Sequence, residues 1–210
     1  MTQTEEFTEP AVRSRPHRWP PGDGVGVFHD VRQTVWETGH PEAGSLEARL
    51  TERYVAALDA AEVGGRPPEC WRPLFPYRRH PGVRPVQFAL AGLHAHVAHD
   101  LALAVVDVCR TRDCEPDALE GEFERLGDLL ALLEERIHDD LMPGPDLLRI
   151  ADPLTHLVSS WSLERAREAA WSAARALRRL RGLPSLAEEL RQQTDAGAGL
   201  VVRFLLTPCR

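Results

Sequence analysis

Apolar residues recur at spacings of three and four along most of the chain, and this pattern is typical of amphipathic helices. The run from Phe123 to Ile137 shows it most clearly, with an apolar residue at almost every helical turn. Clusters of proline and glycine separate such runs. The predicted helices span residues 25–38, 45–61, 85–110, 120–142, 146–158 and 162–181, followed by a last helix from Ser185.

No stretch alternates apolar and polar residues in the way that a half-buried strand does. The one ambiguous run is LVVRFLL at residues 200–206, which suits either a strand or the buried end of a helix. We therefore predict an all-α fold, a single-domain helical bundle around the helix at 85–110. This domain is expected to span residues 23–207, after a disordered N-terminal arm of residues 1–22 that is rich in proline and arginine.

The segment at 85–110 is apolar nearly all round, which favours a place in the middle of the bundle. Pro85 suits its first turn, where the missing N–H is not needed. Ionisable side chains in such a helix must be paired, neutral or turned toward a cavity. At about 100° per residue, one stripe of the helix holds four of them, and His94 lies roughly opposite. The stripe consists of His96, His99, Asp100 and Asp107.

Three interpretations of this stripe are open. In the first, Asp100 orients His96 and raises its basicity, so that the two form an acid–base pair. In the second, His96, His99 and Asp100 bind a metal ion together with a ligand from elsewhere in the chain. In the third, the same residues form hydrogen bonds to neighbouring helices and only organise the core. The spacing alone does not choose among them.

Composition narrows the function classes. The net charge of −7 argues against broad nucleic-acid binding, which needs a basic face. Five ionisable groups in the most apolar helix argue against a membrane span. All 25 cationic side chains are arginine, so lysine Schiff-base chemistry is excluded. The absence of lysine also indicates a high-GC, actinobacterial genome.

The four cysteines have no CxxC pair and no zinc-finger spacing, so we expect reduced thiols and a cytoplasmic protein with no cofactor. The first residues lack the apolar stretch of a signal peptide. A second polar group lies on the predicted helix that Ser162 caps. There Arg165, Arg167, Trp161 and Trp171 are expected either to face the central stripe or to form a solvated surface.

Three motifs resemble those of a mostly actinobacterial family of uncharacterised helical proteins. They are WRPLF from Trp71, QFALAGLHAHVAHDL from Gln87, and AREAAW ending at Trp171. The GVGVF stretch ending at Phe28 is similar more loosely. The resemblance covers about residues 22–205 and matches the family's His and Asp at His96 and Asp100. It departs at His94, where the family has Asn, and at His99, which weakens the metal interpretation.

The resemblance implies a domain of unknown function, in some members linked to natural-product biosynthesis. The leading hypothesis is a small-molecule tailoring enzyme of secondary metabolism that catalyses cyclisation, isomerisation or hydrolysis. His96 and Asp100 would be catalytic, and the substrate would contact Gln87, Arg167, Trp71 and Trp171. The alternative is a non-catalytic binding or scaffold protein with a structural polar stripe. The expected partner is a small molecule, with no nucleic acid and no membrane, and homo-oligomer formation is left open.

Overall fold

The computed structural model describes residues 19–36, 41–141 and 162–208. Within these ranges 78% of the residues are helical and none is in a strand, which confirms the all-α prediction. The α-helices are α1 (Gly24–Trp36), α2 (Leu46–Glu62), α3 (Leu74–Tyr77), α4 (Pro85–Ala95), α5 (Leu101–Arg112), α6 (Glu120–Leu141), α7 (Leu163–Arg179) and α8 (Pro184–Leu205). The predicted helix at 146–158 and Trp161 lie outside the described residues.

The central helix is continuous from α4 to α5 through a π-helical turn, His96–Asp100. In this turn the Leu101 N–H donates to the carbonyl of His96, five residues back. The span Pro85–Arg112 is long and apolar enough to cross a membrane, with a mean hydropathy of 1.4 in its most apolar window. However, 89% of that window is buried inside the protein, as in the core helix of a soluble domain.

The crossing of α1 and α4 depends on two reciprocal glycine–phenylalanine contacts. A Cβ on Gly92 would collide with the ring of Phe28, and a Cβ on Gly24 would collide with the ring of Phe88. Each glycine therefore lets the opposite ring lie directly against the helix backbone. Both rings are buried, so the two contacts bring α1 against the first half of the central helix.

Helix α8 also packs along α4 and continues through two glycines to Leu205. The ambiguous run at 200–206 is thus the end of a helix. Gln87 attaches this end to α4, because its Nε2 donates to the carbonyls of Leu205 and Thr207 at 2.7 and 2.8 Å. Its Oε1 accepts from the backbone N–H of Arg84 at the start of α4.

The predicted helix starts are confirmed at three places. The hydroxyls of Ser45 and Ser162 accept from backbone N–H groups in the first turns of α2 and α7, and Pro85 occupies the first turn of α4. The last helix begins at Pro184, one residue before the predicted start. Most of the predicted arm, residues 1–18, lies outside the described residues, but Trp19 packs against Gly26 and under Arg78, so the folded part begins earlier than residue 23.

Candidate functional site

His96 lies in an aromatic cage at the centre of the bundle. Its ring is 5.8 to 6.3 Å from four others and meets each of them edge to face. Its side chain is fully buried, and neither ring nitrogen has a hydrogen-bond partner among the described residues. Burial lowers the pKa of His96 well below its ordinary value, so the imidazole is neutral. The cage consists of Phe28, Trp36, Tyr54 and Trp71.

Asp100 lies between His96 and the WRPLF segment. Its Oδ2 accepts a 2.8 Å hydrogen bond from the indole Nε1–H of Trp71, whereas Nδ1 of His96 is 3.6 Å away. Burial raises the pKa of Asp100 to about 6, and the hydrogen bond from Trp71 is among the effects that oppose this rise. The direct partner of the carboxylate is therefore the indole, and His96 is a second neighbour outside hydrogen-bonding distance.

A buried arginine lies on the other side of the cage. The guanidinium of Arg32 lies over the rings of Trp36 and Tyr54, 4.5 and 5.1 Å from their centroids, and donates to the hydroxyl of Thr51. Burial lowers its pKa to about 10. Aromatic ring faces attract cations, so the rings of Trp36 and Tyr54 stabilise the charge of Arg32. The centre of the bundle thus contains buried polar groups that pack against aromatic rings.

His99 points away from this core toward α8. Its Nε2 is 3.8 Å from Oδ1 of Asp195, and its side chain is only 3% exposed. The sulfur of Cys70 joins them, so that one donor atom from each residue lies within 4.8 Å of the other two. Asp195 also accepts from the backbone N–H groups of Glu69 and Cys70, both at 2.9 Å. We call these three residues the Cys70–His99–Asp195 cluster.

The π turn explains why the predicted stripe divides. A turn with one extra residue rotates all later positions by about 100° relative to an α-helix. His96 therefore faces the aromatic cage, His99 faces α8, and Asp107 reaches the surface, where it pairs with Arg53 and Arg110. The ligand set of His96, His99 and Asp100 considered from the sequence does not converge here, because His99 has Cys70 and Asp195 as its neighbours.

Arg167 and Trp171 line a hollow on a different face. The hollow has a volume of about 280 Å³ and carries four glutamates besides these two residues and Phe123. Trp171 packs on Phe123 with ring centroids 4.5 Å apart. The guanidinium of Arg167 lies over the same phenylalanine and occupies the space where a side chain at Gly127 would be. Neither Arg167 nor Trp171 joins His96 in one site.

A larger groove lies between α5, α7 and α8, with α2 at its edge. Its volume is about 580 Å³, and among the described residues its walls carry five arginines and two acidic residues, Asp107 and Glu188. Its apolar lining includes Leu103, Val106 and Leu177. Two of the arginines act electrostatically on His99, so the groove is on the same side of the central helix as the cluster. The arginines are Arg53, Arg110, Arg178, Arg181 and Arg191, and we call this site the arginine groove.

Comparison with known proteins bears on this arrangement only at the level of the family. The sequence model of a family of unknown function, DUF5995, matches residues 11–208. The chain belongs to this family. No curated protein and no solved structure matches the chain.

Two of the three sequence motifs, WRPLF from Trp71 and QFALAGLHAHVAHDL from Gln87, meet inside the bundle. Trp71 of the first motif donates to Asp100 of the second. Gln87, which opens the second motif, attaches the end of α8. Three of the predicted site residues thus connect separate parts of the fold, namely Trp71, Gln87 and Asp100. One buried group contains Trp71, His96 and Asp100.

The sequence pattern alone does not predict Asp195 and Cys70 as partners of His99. It does not predict the arginine groove either. Cys70 and Asp195 are 125 positions apart, and no spacing rule connects them. One signal was present: Gly197 and Gly199 follow Asp195 in the last helix. Glycine inside a helix often marks a close approach of another backbone. Here a Cβ on Gly199 would lie 2.6 Å from the carbonyl oxygen of Glu69.

Proposed function

We propose that this DUF5995 protein binds a small amphipathic anion, a carboxylate or phosphate with an apolar body, in the arginine groove. The observation that carries the proposal is the concentration of five arginines on one apolar-lined groove of a chain whose net charge is −7. Guanidinium groups bind carboxylates and phosphates through paired hydrogen bonds. The apolar residues between them provide a surface for an aliphatic or aromatic body.

The volume of the groove supports this choice over the hollow at Arg167. Small-molecule sites usually have volumes of about 300–1,000 Å³. The arginine groove, at about 580 Å³, lies inside that range, and the hollow, at about 280 Å³, lies just below it. The hollow is also acidic, since its lining has four glutamates and one arginine. An organic anion therefore fits the groove better in both size and charge.

The arginines keep donors available to a ligand even though each has an acidic neighbour. Arg181 contacts Glu115 through one terminal nitrogen, and its side chain is 62% exposed. Arg191 pairs with Glu188, with 47% of its side chain exposed. A guanidinium has five N–H donors, so such a pair leaves donors for a second anion.

The test is a binding titration with three matched probes: octyl phosphate, inorganic phosphate and octanol. We expect octyl phosphate to bind more tightly than either of the others, because only it has both the charge and the apolar chain. Replacing Arg181 or Arg191 by Gln should weaken its binding by roughly tenfold or more, since a charged hydrogen bond contributes about 1.5–3 kcal/mol. Arg136→Gln is the control, because Arg136 is an exposed arginine of α6 outside the groove. Equal affinities of wild type and groove variants would contradict the proposal.

The acid–base interpretation of His96 and Asp100 stays a prediction. A substrate would have to reach a side chain that four aromatic rings and the central helix enclose. We infer a structural role for this pair, in line with the alternative hypothesis of a non-catalytic binding or scaffold protein.

We further propose that the ligand is an intermediate or product of small-molecule biosynthesis in an actinobacterial cytoplasm. The cationic side chains are all arginine, which supports the actinobacterial source. The cytoplasmic compartment is supported by Cys70, Cys109 and Cys114, which form no disulfide in the described part of the chain.

A further inference from the structure

The Cys70–His99–Asp195 cluster brings together the three side-chain types that bind zinc most often, a thiol, an imidazole and a carboxylate. They come from three separate segments: the turn before α3, the π turn and α8. Ligands of one tetrahedral zinc ion lie roughly 3.3–3.6 Å from one another, given bonds of about 2.0–2.3 Å. The donors here lie within 4.8 Å of one another, so the distance between any two of them would have to shorten by about 1.5 Å at most to reach these separations.

Two contacts hold the thiol and the carboxylate side by side before any ion binds. Asp195 accepts from the backbone N–H of Glu69 through Oδ2 and from that of Cys70 through Oδ1. One helical turn later, the missing side chain at Gly199 lets the backbone at Glu69 and Cys70 lie against α8. A carboxylate has about four acceptor sites, so Asp195 keeps lone pairs for a metal after these two hydrogen bonds.

The side chain of His99 is oriented as a metal ligand would be. A histidine binds a metal ion through the lone pair of one ring nitrogen. Its Nε2 is the nitrogen that faces Asp195, and its Nδ1 is buried without a hydrogen-bond partner among the described residues. A π turn within an α-helix is often found at functional sites, and this one sets the direction of His99.

Charges of both signs lie around the cluster. The carboxylates of Asp100 and Asp195 act on both His99 and the thiol of Cys70. Arg53 and Arg191 act on His99 in the opposite sense. These two arginines belong to the wall of the arginine groove and already have Asp107 and Glu188 as partners.

We propose that Cys70, His99 and Asp195 bind one zinc ion. Three protein ligands leave the fourth position to a water molecule, the arrangement of catalytic zinc sites, whereas structural sites have four protein ligands. The softness of the thiolate favours zinc over magnesium or calcium, which prefer oxygen ligands. This inference does not depend on the anion proposal, since no residue of the cluster lines the groove.

The test uses the full chain, freed of metal with a chelator under reducing conditions and titrated with Co²⁺ as a spectroscopic substitute for Zn²⁺. We expect binding of one equivalent, d–d bands of tetrahedral intensity and a thiolate-to-cobalt charge-transfer band in the near ultraviolet. Added Zn²⁺ should displace the cobalt and remove both signals. Binding without the charge-transfer band, or no saturable binding, would overturn the proposal.

Variants then assign the ligands. Cys70→Ser should remove the charge-transfer band, and His99→Gln should weaken Zn²⁺ binding at least tenfold. The matched control is Cys114→Ser, which changes a second described thiol outside the cluster and should leave both readouts unchanged. A band that survives Cys70→Ser and disappears in Cys114→Ser would place the metal elsewhere. If Asp195→Asn does not fold because two backbone hydrogen bonds are altered, the cobalt spectrum of the wild type and the other two variants still decide the question.

Discussion

The hydrogen bond between Trp71 and Asp100 offers the sharpest test of how the core is held together. Both side chains are buried, at 1% and 2% exposure, and the Nε1–Oδ2 distance is 2.8 Å. Trp71→Phe removes the donor, and Asp100→Ala removes the acceptor. In each single variant a buried polar group loses its partner, while the double variant leaves neither group behind. We therefore expect the two substitutions to be strongly non-additive.

The magnitude follows from the chemistry of the bond. A hydrogen bond to a charged group contributes about 1.5–3 kcal/mol to stability, so the coupling free energy should be of that size. For a domain of this length, losing that bond alone corresponds to a fall in Tm of roughly 3 to 12 °C. Trp71→Phe also removes ring volume, so its total effect should be larger than the coupling.

The assay is urea unfolding of the wild type, both single variants and the double variant, followed by circular dichroism. A matched cycle pairs Asp100→Ala with Trp171→Phe, because Trp171 packs on Phe123 at another face. That cycle should be additive within about 0.5 kcal/mol. If the Trp71 cycle is equally additive, the buried bond does not stabilise the fold, and the structural interpretation of the two motifs fails.

Three further predictions concern single positions. Gly92→Ala should lower the free energy of unfolding by about 1–3 kcal/mol, because the new Cβ would collide with the buried ring of Phe28. The control is Gly121→Ala, where the nearest neighbour of the new Cβ is the end of an arginine side chain at 3.6 Å. This control should be neutral or stabilising in the same urea assay. Gly127→Ala should have a smaller effect on unfolding than Gly92→Ala, since the group in its way is the flexible end of Arg167, and an equal loss would show that this guanidinium is fixed. His94→Asn should reduce the acid sensitivity of the fold: burial lowers the pKa of His94 from 6.5 to about 4, so its contribution is present above 6.5 and is lost as the pH falls toward 4. A shifted group changes the free energy of unfolding by about 1.4 kcal/mol per pH unit. Between pH 6.5 and 4 the wild type should therefore lose up to about 3 kcal/mol more stability than the variant, as measured by unfolding at a series of pH values. Parallel curves for the two proteins would contradict the assignment.

The elements of the fold were accessible from the sequence because they depend on local chemistry. Ser45 and Ser162 accept from the N–H groups of the turns that they precede, and Pro85 occupies a first turn. Such signals require only neighbouring residues. The end of the last helix does not follow from local signals, because each glycine lowers helix propensity by about 1 kcal/mol. Gly199 is tolerated there because its lack of a side chain allows a tertiary contact with Glu69.

The candidate site was only partly accessible for two physical reasons. The angular positions of His96 and Asp107 were derived for a regular α-helix, and one additional residue in the π turn rotates everything that follows. The partners of His99 come from segments distant in sequence, so only the three-dimensional fold brings them together. The sequence predicts that the polar residues of the central helix lie on one stripe, and the π turn shows that this prediction is wrong. They divide between a buried aromatic cage, the Cys70–His99–Asp195 cluster and the edge of the arginine groove.

The most direct test of the proposed function is to map where the anion binds. Amide chemical shifts of the labelled protein would be followed by nuclear magnetic resonance during titration with octyl phosphate. We expect the largest changes around Arg53 and at the lining residues between 103 and 110 and between 177 and 191. Changes confined to the hollow at Arg167 and Trp171, or to the aromatic cage around His96, with the arginine groove unaffected, would contradict it.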